Sequence, residues 1–231
     1  MIDFTPFEEK TRIVFKKKET LIQAFTHRSY INENPGIVTG HNERLEFLGD
    51  AVLELAVTNF LYKKFTDKPE GELTALRAAL VNAITLATAA EDAGMNDYLL
   101  LSKGEAKDMG KARQYILANA FEAYIGAVYI DRGYDMAEKF ISDTLFGQVD
   151  TIIDQKLWRD PKSLIQEKAQ EYVNATPSYK VLKESGPDHD KQFVIGIYFG
   201  NTLIAEGKGK SKQEAEQKAA HQALVVKKWL E

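Results

Sequence analysis

Between residues 42 and 54 the chain reads Asn42-Glu43-Arg44-Leu45-Glu46-Phe47-Leu48-Gly49-Asp50-Ala51-Val52-Leu53-Glu54. Glu43, Glu46 and Asp50 recur at spacings of three and four, which stacks them on one face of a helix. An acidic stripe is ordinarily a solvated surface. This one lies on a helix that is apolar nearly all round, with Leu45, Phe47, Leu48, Val52, Leu53, Leu55, Val57, Phe60 and Leu61 leaving only a narrow polar strip. Helices of that kind are buried. A second run, Tyr115 to Ile130, is as apolar except for Asn119 and Glu122, three apart on one face, and Gly126 four further on suits close helix approach.

Carboxylates gathered in a low-dielectric site repel one another unless a cation neutralises them, and hard oxygen donors select Mg²⁺, with Mn²⁺ as a substitute. Such a cation activates water, polarises a phosphoryl oxygen and stabilises a leaving alkoxide, so the chemistry that best suits a carboxylate-only cluster is phosphodiester hydrolysis. Glu54 continues the stripe and reads as a packing or surface residue. The chain has no cysteine and four histidines. That excludes disulfides, thiolate-bound zinc, iron–sulfur clusters and a thiol nucleophile. His189 has no second histidine or carboxylate at ligand spacing, His27 and His221 read as packing or surface residues, and His41 reads as a capping or loop residue.

Positioning these groups takes a helical scaffold. In 231 residues the sequence predicts helices over about 5–17, 19–30, 42–65, 71–91, 93–101, 111–131 and 134–155. Turn chemistry interrupts them at Asn32 to Gly36, Thr66 to Gly71 and Asp131 to Gly133. Asp160 and Pro161 then read as the N-cap and first residue of a new helix. Three strand-like runs (178–184, 191–199, 202–207) and a final helix over 212–230 follow, giving an α-β-β-β-α order.

The expected organisation is an all-α domain over 1–156 and a small α+β domain over 157–231. Residues 1–157 carry 18 basic against 24 acidic side chains, and residues 158–231 carry 12 against 10. The N-terminus shows neither a basic n-region nor an apolar h-region, and no run of about 18 apolar residues follows, so the expected location is cytoplasmic, with no membrane contact.

The second domain concentrates its signal in Gly207-Lys208-Gly209-Lys210-Ser211-Lys212-Gln213-Glu214. Ser211 and Glu214 form a capping-box pattern at a helix start, beside Lys208, Lys210 and Lys212, where the positive end of the helix dipole favours phosphate oxygens. Ala215, Ala219, Ala220 and Ala223 give that helix a small-residue face for tight packing on the sheet.

The run Asn42 to Leu53 resembles the signature of the ribonuclease III family, supported by Phe25-Thr26-His27-Arg28-Ser29-Tyr30, by Glu70-Gly71-Glu72-Leu73-Thr74 with Arg77, and by Ala118 to Asp131. By that resemblance Glu46, Asn119 and Glu122 are magnesium ligands, Asp50 and Glu122 are essential to catalysis, and Glu43 and Glu70 are accessory acids. The family usually has Asp at 119. An Asn carbonyl still binds Mg²⁺, so the expectation is an active site of altered metal affinity, the alternative being a non-catalytic double-stranded RNA-binding protein whose site Asn119 has weakened.

The second domain resembles the double-stranded RNA-binding domain. The resemblance places Gln166, Glu167, Pro187, Asp188 and His189 at successive minor grooves, and Lys210 and Lys212 on the phosphates between. Together the two resemblances imply a homodimer that cuts both strands of duplex RNA, leaving 5′-phosphate, 3′-hydroxyl and short 3′ overhangs, in ribosomal, messenger and transfer RNA processing. No small-molecule cofactor is implied.

Overall fold

A computed structural model describes residues 2–36, 40–107, 110–154, 158, 160–187 and 191–229. The chain divides into two compact units, Met1–Trp158 and Arg159–Glu231.

The first unit is helical, as the apolar periodicity requires. Its helices are α1 (Thr5–Thr11), α2 (Lys18–Ala24), α3 (Arg28–Glu33), α4 (Glu43–Lys64), α5 (Glu70–Leu80), α6 (Ala83–Asp92), α7 (Lys111–Arg132), α8 (Tyr134–Ile141) and α9 (Gln148–Asp154). At its centre the two 22-residue helices α4 and α7 pack on each other. From α7, Leu117, Ala120, Phe121, Ala123, Tyr124, Ile125, Ala127 and Val128 are wholly buried. Tyr124 is ringed by Phe7, Phe15, Phe25 and Phe140, and its hydroxyl donates to Thr11 Oγ1 at 3.2 Å. The Asp131 carboxylate accepts the backbone N–H groups of Lys16 and Lys17 at 2.8 and 3.0 Å, tying the N-terminal segment to the end of α7.

Several expected helices are shorter than the periodicity suggests, each for a local reason. The run 5–17 stops at Thr11 because Arg12 takes a left-handed conformation, φ 58°. The run 19–30 divides because His27 caps α3, its Nδ1 accepting the Ser29 N–H at 3.3 Å, so His27 is a capping residue rather than a packing one. The run 71–91 divides because Asn82 Oδ1 accepts the N–H groups of Ile84 and Thr85, both at 3.0 Å, and starts α6 afresh. In 93–101 there is only a 3₁₀ turn, Met95–Tyr98, entered through Gly94 at φ 80°, before Leu100 bridges to Thr26. A π-helical turn, Ser142–Phe146, separates α8 from α9.

The second unit has the expected order: α10 (Pro161–Val173), β1 (Pro177–Ser185), β2 (Gln192–Phe199), β3 (Thr202–Gly209) and α11 (Lys212–Lys227). Asp160 caps α10, its carboxylate accepting the Ser163 N–H at 3.0 Å, with Pro161 in the first turn. The sheet is antiparallel in the order β1-β2-β3. Phe193, Ile195 and Ile197 of β2 are buried on its inner face, and the predicted small face of α11 lies there too, with Ala215, Ala219, Ala220 and Ala223 all inaccessible to solvent. Gly207 of β3 makes that contact possible, since a Cβ there would lie 2.2 Å from both the Ala215 oxygen and the Ala219 nitrogen.

Among the described residues no single helix is long and apolar enough to cross a membrane.

Candidate functional site

The acids come together because α4 and α7 touch backbone to backbone. A Cβ on Gly49 would lie 1.7 Å from the Glu122 carbonyl oxygen, and one on Gly126 would lie 2.2 Å from the Leu45 oxygen. Position 45 meets 126 while 49 meets 122, so the helices run antiparallel and the stripe of α4 is brought beside Glu122.

The electrostatics record this proximity. Burial, then the charges of Asp50, Glu46 and Glu54, push the Glu122 carboxyl up to about 7. Burial, with Glu43 and Asp50 nearby, also raises Glu46. Glu46, Asn119 and Glu122 are half-buried, and Asp50 is exposed. Like charges held this close favour either a shared proton or a cation. All the available donors are hard oxygens, three carboxylates and one amide, which fits a divalent ion such as Mg²⁺. As they stand, no three His, Asp or Glu side chains among the described residues are close enough to clasp such an ion.

The accessory acids occupy different surroundings. Glu43, in the first turn of α4, is 3.4 Å from Arg28 and 3.7 Å from His41. Glu70 is exposed at the start of α5 and lines a cavity of about 240 Å³ with Thr58, Tyr62, Leu73 and Arg77. Glu54, expected to be a packing or surface residue, is half-exposed, and what the sequence did not reveal is its partner. The Glu54 charge reaches Glu122, and Arg77 Nε lies 2.8 Å from its Oε2. Its i, i+4 spacing from Asp50 was the available signal; its cationic partner lies on another helix.

In the second unit Ser211 Oγ accepts the Glu214 N–H at 3.1 Å, and the Glu214 carboxylate accepts the Lys210 N–H at 2.8 Å. This is the predicted capping box, with the return bond made to the residue before the cap. Lys210, Ser211 and Lys212 are exposed at this helix start, and the Lys212 ammonium stands 5.8 Å from the centre of the Phe193 ring. Lys208 is exposed on β3, opposite Val194 in the ladder. Gln166, Glu167 and Pro187 are exposed; Asp188 and His189 lie outside the described residues.

Comparison with known proteins agrees with both halves. Residues 17–149 match the family model described as Ribonuclease-III-like, and residues 161–226 match the double-stranded RNA binding motif. The protein named Ribonuclease 3 from Natranaerobius thermophilus is 48% identical over 222 residues, covering 96% of this chain and 95% of the relative. Ribonuclease 3 from Enterococcus faecalis is 44% identical, covering 95% of each. A solved nuclease domain of ribonuclease III from Campylobacter jejuni is 38% identical with a TM-score of 0.55, covering 62% of this chain and 98% of that one. Helical acid site, capped lysine-bearing helix and full-length relatives agree: the chain belongs to the ribonuclease III family.

Proposed function

We propose that this chain is a metal-dependent endoribonuclease that cleaves double-stranded RNA. The observation that carries the reading is the backbone contact of Gly49 with Glu122, which holds Glu46 and Asp50 beside a carboxyl raised to about 7. Residues 1–156 form the nuclease domain and 157–231 the RNA-binding domain.

Mg²⁺, or Mn²⁺ in its place, when bound supplies an activated water and stabilises charge on the phosphate. Glu46, Glu122 and the Asn119 amide oxygen are the donors that would hold it. The exposed Asp50 carboxylate orients the attacking water and takes its proton. Glu43 and Glu70 add negative charge at the margins of the site. Hydrolysis of the bond from phosphorus to O3′ leaves a 5′-phosphate and a 3′-hydroxyl. Lys210, Lys212 and Ser211 hold phosphates across the duplex, Gln166, Glu167, Pro187, Asp188 and His189 meet its minor grooves, and Lys208 adds to the same field. No small-molecule cofactor takes part.

The working form is a homodimer. Phe47, Leu55 and Tyr62 form a stripe along α4 that is 82, 58 and 72% exposed, next to an open cavity of about 650 Å³ lined by Phe47, Leu48 and Ile130 among others. Such an apolar stripe suits a self-complementary interface, and it lies on the helix that carries Glu46 and Asp50, so two sites would share one cleft and cut both strands. The Campylobacter jejuni structure concerns a region involved in dimer formation of its nuclease domain. The expected place of the enzyme is the cytoplasm, where it would mature ribosomal and transfer RNA precursors and process structured messenger RNA.

Incubating the full chain with a long RNA duplex and with the matching single strand, with and without Mg²⁺, tests the reading. Metal-dependent cuts confined to the duplex, with 5′-phosphate ends and short 3′ overhangs, are expected. Tight binding of the duplex with no cutting under any metal, relieved by Asn119→Asp, would instead establish a binding protein with a weakened site.

A further inference from the structure

Glu54 lies one turn beyond Asp50 on α4, so it is the next acid in the row that borders the site. It is held from another helix. Arg77 of α5 brings its Nε to 2.8 Å from Glu54 Oε2, and its Nη1 donates to Thr58 Oγ1 at 3.0 Å, one turn further along α4. A planar guanidinium bonded in two directions is fixed in orientation as well as in place, in a way an ammonium is not. Arg77 therefore pins α5 to α4 and sets a positive charge against the last carboxylate of the row.

We propose that Arg77 is a positioning residue for the cation site: it holds Glu54 away from the ligand oxygens and offsets part of its charge, so that the divalent ion meets chiefly the field of Glu46, Asp50 and Glu122. The inference rests on the nuclease reading above. Glu54 is close enough for its charge to bear on Glu122, so an unbalanced charge on either member of the pair would be felt by the ion.

The pair is distinguished from an ordinary helix clamp by the sign of its effects. With Arg77→Gln, Glu54 is left as an uncompensated anion, and cation affinity rises. With Glu54→Gln, Arg77 is left as an uncompensated cation, and affinity falls. A unit charge roughly 10 Å from a divalent ion near a protein surface changes affinity by about three- to tenfold in each direction. The double variant returns close to the parent, and Arg77→Lys, which keeps the charge but not the two-way bonding, falls between the parent and Arg77→Gln.

Mn²⁺ binding to the full chain, followed by electron paramagnetic resonance beside thermal unfolding without metal, is the test. Opposite shifts for the two single variants, cancelling in the double variant, are expected whatever the variants do to melting temperature. Affinity shifts of the same sign, in step with lost stability, would reduce Arg77 to a clamp and overturn the proposal while leaving the nuclease reading intact. If Mn²⁺ binding is absent from the parent, or persists unchanged in Glu122→Gln, the cation site itself is wrong and the proposal falls with it.

Discussion

Gly49 and Glu122 are in backbone contact: a single methyl group on Gly49 would sit 1.7 Å from the Glu122 carbonyl oxygen. No side-chain rearrangement relieves such a clash, because the obstacle is the main chain of the facing helix. Gly49→Ala therefore drives α4 from α7 at the point where the acids meet. The expected cost is about 3 kcal/mol of folding stability, readable by urea denaturation. Divalent-ion affinity should fall as well, even under conditions where the variant is fully folded.

The raised Glu122 carboxyl gives stability a direction with pH. Its value in the fold, about 7, lies above the ordinary 4.5, so between those values the folded chain keeps a proton that the unfolded chain has released. Its contribution is present in full below about 4.5 and is lost as pH rises through about 7. Without divalent ion the melting temperature should therefore decline over that interval, and Glu122→Gln should flatten the decline. Metal binding displaces the proton, so Mn²⁺ affinity should climb across the same interval and level off above it.

Asn119 supplies an oxygen without a charge. Asn119→Asp adds a fourth carboxylate beside a divalent ion, and the Mg²⁺ concentration for half-maximal cleavage should fall by roughly tenfold. Metal titration of the cleavage rate reads this directly. An unchanged requirement would mean that position 119 does not contact the ion.

The acid site was legible in the sequence to the extent that it is local. The spacing of Glu43, Glu46 and Asp50 on an otherwise apolar helix, and of Asn119 and Glu122 on another, defined two faces, and Gly126 marked one of them for close approach. The capping box of Ser211 and Glu214 and the Asp160 cap were legible for the same reason. Helix breaks were less so: apolar periodicity runs unbroken past Val81, and only the side chain of Asn82, bonding back to the next turn, divides it. Arg12 ends α1 through a left-handed backbone that its residue type does not announce. The pairing of Glu54 with Arg77 depends on how α5 lies against α4, as does the cavity that Glu70 shares with Arg77. Periodicity within one helix carries no information about either.

Phosphate contact by the second unit is measurable as a salt dependence. Lys212→Ala should lower the slope of log affinity for duplex RNA against log salt by about 1. Cleavage at low salt should persist, since the substitution leaves the acid site untouched. Filter binding across a salt series checks the slope, and an unchanged slope would remove Lys212 from the phosphate contacts.

The most direct measurement compares the parent chain with Glu122→Gln for both duplex binding and duplex cleavage in saturating Mg²⁺. The expected result is unchanged binding with cleavage lowered by at least about a thousandfold. Cleavage within a few-fold of the parent would contradict the placement of the chemistry at the junction of α4 and α7.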